Sequence, residues 1–221
     1  MHSKFETVIS LFQNGKLDEA NKLCQEILND EPENFEILHL YGIITFQKKN
    51  YNFSIDLIKR ALKINPKHPE ANNNLGIVLN EVKKFDEAIE SFENAIAIDP
   101  KFTEAYNNLG LALKGLYKIN LAIENWKKAI QLNPDFIHSY NNLGNAMLEL
   151  KKPNSAVEYY NKAILINKKF YEGYLNKGNA LQELNRFNEA IESYEEAIKI
   201  KPNCAEAYYY RGNSFVNLKL L

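Results

Sequence analysis

Residues 103–136 read TEAYNNLGLALKGLYKINLAIENWKKAIQLNPDF, and the landmarks of this stretch return along the chain every 34 residues. Glycine recurs at Gly42, Gly76, Gly110, Gly144, Gly178 and Gly212. Proline keeps the same interval at Pro32, Pro66, Pro100, Pro134 and Pro202, with Lys168 where one more would stand. A period of this length predicts an array of helical hairpins. The units are 1–34, 35–68, 69–102, 103–136, 137–170 and 171–204, with a half unit at 205–221. Positions are numbered 1 to 34 within each unit.

The second half of each unit is an amphipathic helix on its spacing alone. Position 20 is small (Ala20, Ser54, Ala88, Ala122, Ala156, Ala190), and so is position 27 in all units but the first (Ile27, Ala61, Ala95, Ala129, Ala163, Ala197). Position 24 is large or sulfur-bearing (Cys24, Ile58, Phe92, Trp126, Tyr160, Tyr194), and position 28 is Leu or Ile throughout. Positions 20, 24, 27 and 28 share one face of a 3.6-residue helix. The first half carries its own stripe at positions 4, 7, 8 and 11, for example Tyr140, Leu143, Gly144 and Met147. Glycine inside a helix costs about 1 kcal/mol relative to alanine, so its return implies a crossing with no room for Cβ. Position 18 is Asp18, Asn52, Asp86, Asn120, Asn154 or Asn188, the residue types of an N-cap, and is expected to start the second helix. The proline at position 32 is expected to stop it, and Lys168 is expected to be a tolerated loss of one such stop.

With these residues on the page, the chain resembles the tetratricopeptide repeat family over its whole length. Asn-Asn-Leu-Gly at 73–76, 107–110 and 141–144, Asn-Pro at 65–66 and 133–134 and Asp-Pro at 99–100 match the family pattern. The first unit departs from it, with Val8 for glycine and Cys24 for the aromatic, and is expected to act as an N-terminal cap. The resemblance implies an all-α fold, a right-handed superhelical solenoid of six full repeats plus a terminal helix, forming a single array over 1–221.

Composition excludes several functions. The net charge of −1 gives no electrostatic footprint for nucleic acid or an anionic membrane. Pentatricopeptide RNA readers share a similar period, but this balance and the Leu-Gly, Ala, Pro signature argue against them. No apolar run approaches a membrane span, and the N-terminus has no signal-peptide build, so a soluble cytoplasmic protein is expected. Cys24 and Cys204 lie at opposite ends of the array, too far apart for a disulfide, and are expected to be free thiols. His2, His39, His68 and His138 fall at positions 2, 5, 34 and 2, which suggests no shared site within a unit. Metal-binding, phosphate-loop and nucleophile-elbow motifs are absent, so neither catalysis, a metal nor a cofactor is expected.

The informative residues lie on the first helix of each pair, off its core stripe. Position 6 is Asn74, Asn108, Asn142 and Asn176 in four consecutive units, Leu40 in the unit before and Tyr210 in the half unit after. In the family, first helices line a concave groove into which position 6 looks. The resemblance is specifically to the long arrays of O-linked N-acetylglucosamine transferases, whose asparagine ladder holds extended polypeptide. A carboxamide offers donor and acceptor together, so it can bind a peptide backbone. Asn145 and Asn179 at position 9, with Asn213, form a second row. Against this stands a chain rich in Asn throughout, where some asparagines reflect composition alone.

A second column, Glu36, Glu70, Glu104, His138, Glu172 and Glu206 at position 2, reads either as helix-dipole stabilisation or as an acidic groove edge favouring a basic or neutral partner. The carboxylate clamp of heat-shock co-chaperones does not fit. Asn145 and Asn176 match its asparagines, but Asn141, Glu206 and Tyr210 stand where its cations should be. Residues 205–221 read as the first helix of a seventh unit that stops at Leu220-Leu221, open to continuation in a longer protein, to a capping role or to end-to-end self-association. Two functions follow: a non-enzymatic scaffold binding a peptide or partner helix in the groove, or the substrate-recruiting arm of a larger glycosyltransferase of the O-GlcNAc type.

Overall fold

A computed structural model describes residues 4–218, so the readings that rest on His2, Leu220 and Leu221 fall outside the described residues. The described residues form thirteen α-helices and no strand. They divide into two compact units, Met1–Lys118 and Ile119–Leu221. The first holds α1 (Lys4–Gln13), α2 (Leu17–Asp30), α3 (Phe35–Gln47), α4 (Tyr51–Ile64), α5 (Pro69–Glu81), α6 (Phe85–Ile98) and α7 (Thr103–Gly115). The second holds α8 (Ile119–Leu132), α9 (Ile137–Glu149), α10 (Pro153–Ile166), α11 (Tyr171–Glu183), α12 (Phe187–Ile200) and α13 (Ala205–Asn217). Odd-numbered helices are the first halves of repeats and even-numbered ones the second halves.

The core is built from the repeated positions. Alanines 20, 61, 88, 95, 122, 129, 156, 163, 190 and 197 are fully buried, as are the larger side chains of Ile58, Trp126, Tyr160 and Tyr194. Each aliphatic or aromatic side chain of this kind contributes about 1.5–3 kcal/mol by leaving water. Ser54 stands in the alanine column without cost, because its hydroxyl donates to the Gly42 carbonyl at 2.7 Å. Positions 3 and 10 are buried as well (Ile37, Ala71, Ala105 and Ser139; Ile44, Val78, Ala112, Ala146 and Ala180), making the stripe of the first helices wider than its apolar periodicity shows.

The glycines are explained by the side chain at position 24. A Cβ on Gly42 would lie within 3.0 Å of Ile58, one on Gly76 within 3.0 Å of the Phe92 ring, and those on Gly144 and Gly178 equally close to Tyr160 and Tyr194. The crossing has no room for Cβ because a ring or branched side chain occupies that room.

One expectation about helix ends needs correction, and the tolerated loss at Lys168 finds its reason. Position 18 is not the N-cap: α2, α4, α6, α10 and α12 begin at position 17, after Lys16, Asn50, Lys84, Lys152 and Arg186, none of which caps through its side chain. The turn is set instead by position 15, which is left-handed throughout, at Gly15, Lys49, Lys83, Tyr117, Lys151 and Asn185. The N–H of position 16 then reaches the carbonyl of position 11, as Lys84 does to Leu79 and Arg186 to Leu181, both at 2.9 Å, closing a Schellman turn. Asp18 and Asp86 sit in the first turn of their helices, where a carboxylate meets the positive dipole end. Nor is proline the sole stop. The helix α10 ends at Ile166 without one, and the Asn167 side chain accepts from Lys169 N–H at 2.8 Å. Asp99 and Asn133 make the same turn in the proline-bearing repeats.

Candidate functional site

Within each unit the first helices pack side by side, α1 on α3, α3 on α5 and α5 on α7, and again α9 on α11 and α11 on α13. Their shared outward face is therefore continuous within a unit, and it carries the asparagines singled out from sequence.

Asn74, Asn108, Asn142, Asn176, Asn145 and Asn179 are all half-buried. They are not loose. Asn108 Nδ2 donates to Asn73 Oδ1 at 3.0 Å, and Asn176 Nδ2 to Asn141 Oδ1 at 2.9 Å. Asn74 Nδ2 pairs with His39 Nε2 at 3.0 Å. Position 6 of one repeat is thus bonded to position 5 of the repeat before it, a link 35 residues long that single-helix spacing does not reveal.

Position 9 is tied down differently. The Tyr160 hydroxyl donates to Asn145 Oδ1 at 2.7 Å, and the Tyr194 hydroxyl lies 2.9 Å from both Asn179 Oδ1 and Gln182 Oε1. The carbonyl of each position-9 asparagine therefore faces the core aromatic of its own repeat. Its Nδ2 makes no further hydrogen bond among the described residues. Burial holds both phenols well above the usual tyrosine range, so they are protonated donors at neutral pH. In the first unit the matching positions carry Ile43 and Ile77 beside Ile58 and Phe92, which have no hydroxyl. Asn80 Oδ1, at the position that Gln182 holds in its own repeat, is buried without a hydrogen bond among the described residues.

Two of the histidines come closer together than their repeat positions suggest. His39 and His68 belong to one repeat, and their rings lie 5.5 Å apart, with Phe35 4.8 Å from His68 and 5.9 Å from His39. They meet because position 34 starts the next first helix: His68 is the N-cap of α5, its Nδ1 accepting from Ala71 N–H at 3.2 Å. Burial, helped by the neighbouring His68, lowers His39 to about 4. It is neutral at pH 7, with Nε2 accepting from Asn74 and the proton on Nδ1.

Glu36, Glu70 and Glu104 lie exposed in the first turns of α3, α5 and α7, where the helix dipole favours them. Cys24 and Cys204 are buried free thiols, and burial pushes Cys24 up to about 12, leaving it almost no nucleophilic thiolate. Among the described residues no three His, Cys, Asp or Glu side chains stand together as metal ligands would. No helix there is long and apolar enough to cross a membrane.

Family models described as TPR repeat match residues 78–116, 118–151 and 178–219, and models described as tetratricopeptide repeat match 11–73, 57–90 and 137–170. No curated protein matches the chain. Among solved structures, MamA from Desulfovibrio magneticus RS-1 is 25% identical, covering 77% of this chain and 98% of its own, with a TM-score of 0.68. PilW, a type IV pilus biogenesis factor, is 19% identical over 93% of this chain and 96% of its own, at 0.84. YrrB, a TPR protein with an unusual peptide-binding site, is 16% identical over 86% of this chain and 97% of its own, at 0.62. These neighbours fit a protein-interaction scaffold. On the family models and the repeat geometry together, this chain belongs to the tetratricopeptide repeat family.

Proposed function

We propose that the chain is a non-enzymatic scaffold that holds an extended polypeptide against the outward face of its first helices. In the first unit Asn74 and Asn108 meet the peptide backbone, and in the second Asn142 and Asn176 do so, with Asn145 and Asn179 as a second row of amide donors. The observation that carries this reading is the bonding of position 6 to position 5 across neighbouring repeats, at 3.0 Å for Asn108 and 2.9 Å for Asn176. One N–H of Asn108 and one of Asn176 is spent on the repeat before it, as that of Asn74 is on His39, which fixes the amide plane and leaves a second N–H for a ligand. An acceptor and donor already oriented lose little freedom on binding. Each backbone hydrogen bond contributes only about 0.5–1.5 kcal/mol net, so the amides set register and side-chain contacts must add affinity.

Selection of short peptides displayed on phage against the chain tests the reading. Enriched peptides are expected to bind the Asn108→Ala/Asn176→Ala variant at least about fivefold more weakly, the loss of about 1 kcal/mol of bonding. Thermal melting of the variant checks that it is folded. No enrichment, or equal affinity for the folded variant, would overturn the proposal.

A further inference from the structure

Two adjoining apolar cavities open on the first-helix face of the unit Met1–Lys118. One, of about 260 Å³, is lined mainly by Phe5, Ile9, Phe35, Leu40 and Ile43, with His39 and His68 in its wall. The other, of about 190 Å³, is lined by Ile43, Phe46, Ile58, Ile77 and Val78, with Gln47 and Asn74 in its wall. Ile43 belongs to both, and the hydrogen bond between Asn74 and His39 joins the two linings. Each is smaller than the roughly 300–1,000 Å³ of a small-molecule site, which suits a single side chain better than a cofactor.

The linings themselves carry charge of one sign, while Arg60 and Lys63 stand with Phe35 and Glu36 in a neighbouring pocket. Among the described residues Glu36 lines the first cavity, and no lysine or arginine lines either. Glu36, Glu70 and Glu104 form an exposed column in the first turns of α3, α5 and α7, of which Glu36 reaches the first cavity. Residues 1–118 carry 17 acids against 14 bases, whereas residues 119–221 carry 11 acids against 13 bases. The His39 imidazole adds no positive charge at pH 7, because burial lowers it to about 4.

We propose that these cavities are a pair of side-chain sockets for a basic, apolar-anchored polypeptide segment: two side chains of leucine, isoleucine or phenylalanine size enter the sockets, and flanking lysines or arginines meet the glutamate column. The inference rests on the reading that the first-helix face receives polypeptide, and it names what the partner must carry at the N-terminal end of that face. The apolar anchors supply the affinity that backbone bonds to asparagines cannot, and the acids select against acidic competitors.

The test uses four short fluorescent peptides, of Lys/Leu, Glu/Leu, Lys/Ser and Ser/Gln composition, titrated by anisotropy into the full chain. Lys/Leu is expected to bind at least about tenfold more tightly than the other three. Leu40→Asn/Ile43→Asn is expected to abolish that preference. Asn stands at the equivalent positions, Asn142 and Asn145, but Ile58 offers no hydroxyl to an amide at residue 43, so circular dichroism checks folding and Leu40→Ala/Ile43→Ala serves as a second variant. Glu36→Gln/Glu70→Gln is expected to weaken Lys/Leu binding and to flatten its salt dependence. Equal binding of Lys/Leu and Glu/Leu, or an unchanged affinity in a folded socket variant, overturns the sockets. If Lys/Leu binding falls in Asn108→Ala/Asn176→Ala but not in the socket variant, the sockets fail and the groove stands. If neither variant alters the binding of any peptide, both fail.

Discussion

The two units fill the same seat with different chemistry. Beneath Gly42 and Gly76 lie Ile58 and Phe92, hydrocarbon against hydrocarbon, and position 9 beside them is Ile43 or Ile77. Beneath Gly144 and Gly178 lie Tyr160 and Tyr194, and position 9 becomes Asn145 or Asn179, each taking a phenol hydrogen bond. The core residue and the face residue change together. A tyrosine can enter this core only if its hydroxyl finds an acceptor, and the asparagine that provides it puts an amide on the outward face. The apolar position 9 of one unit and the amide position 9 of the other therefore each go with the residue at position 24.

The largest effect expected is common to both units. Phe92→Ala and Tyr160→Ala each remove a fully enclosed ring and are expected to cost about 3–5 kcal/mol in urea unfolding. A small cost in one unit only would break the equivalence of the seats. Gly178→Ala forces a Cβ against the Tyr194 ring and is expected to cost about 1–3 kcal/mol, whereas Gly212→Ala meets nothing within 4 Å and is expected to be neutral or to stabilise by up to about 1 kcal/mol. Melting temperatures of the pair decide this, and equal shifts would contradict the ring-seat account.

The polar half of the comparison is sharpened by exchange. Tyr194→Phe leaves Asn179 Oδ1 and Gln182 Oε1 without their donor and is expected to destabilise by about 1–2 kcal/mol. The reverse change, Phe92→Tyr, brings a hydroxyl toward the orphaned Asn80 Oδ1 and is expected to cost less than Tyr194→Phe or to stabilise. Denaturant midpoints give the ordering, and the opposite ordering sinks the pairing rule.

The last effect is one of pH, and it belongs to the first unit. His39 has a folded value of about 4 against the ordinary 6.5 of an unfolded chain, so between those values the unfolded chain holds a proton that the folded chain does not. Stability is full above pH 6.5 and falls as pH drops toward 4. Because the ring is half-buried, the loss from pH 7 to pH 5 is expected to be about 1–2 kcal/mol. His39→Leu should remove that part of the melting profile; an unchanged profile would mean the ring is protonated in the fold.

Much of this architecture is legible in the sequence because small residues, rings and glycines alternate at fixed spacing, and side-chain volume is what the packing of neighbouring helices reads. The helix starts were not. Asp and Asn at position 18 have the right chemistry for a cap, yet the backbone decides the turn earlier, at position 15, where Lys49, Lys83, Tyr117 and Lys151 adopt a left-handed conformation that their side chains do not announce. Gly15 and Asn185 alone signal it by type. The asparagine row was visible, but its bonds were not, since Asn108 and Asn73 meet through the stacking of α7 on α5. The His39–His68 pair was hidden for a related reason: positions 5 and 34 look remote until position 34 is seen to open the next helix.

The most direct measurement follows the asparagine side-chain amides by ¹⁵N NMR while the Lys/Leu peptide is titrated into the full chain. The account predicts that the NH₂ signals of Asn74, Asn108, Asn142 and Asn176 shift together with the methyls of Leu40 and Ile43, while the outer faces of α6 and α12 stay still. Shifts confined to those outer faces, or none at saturating peptide, would contradict it.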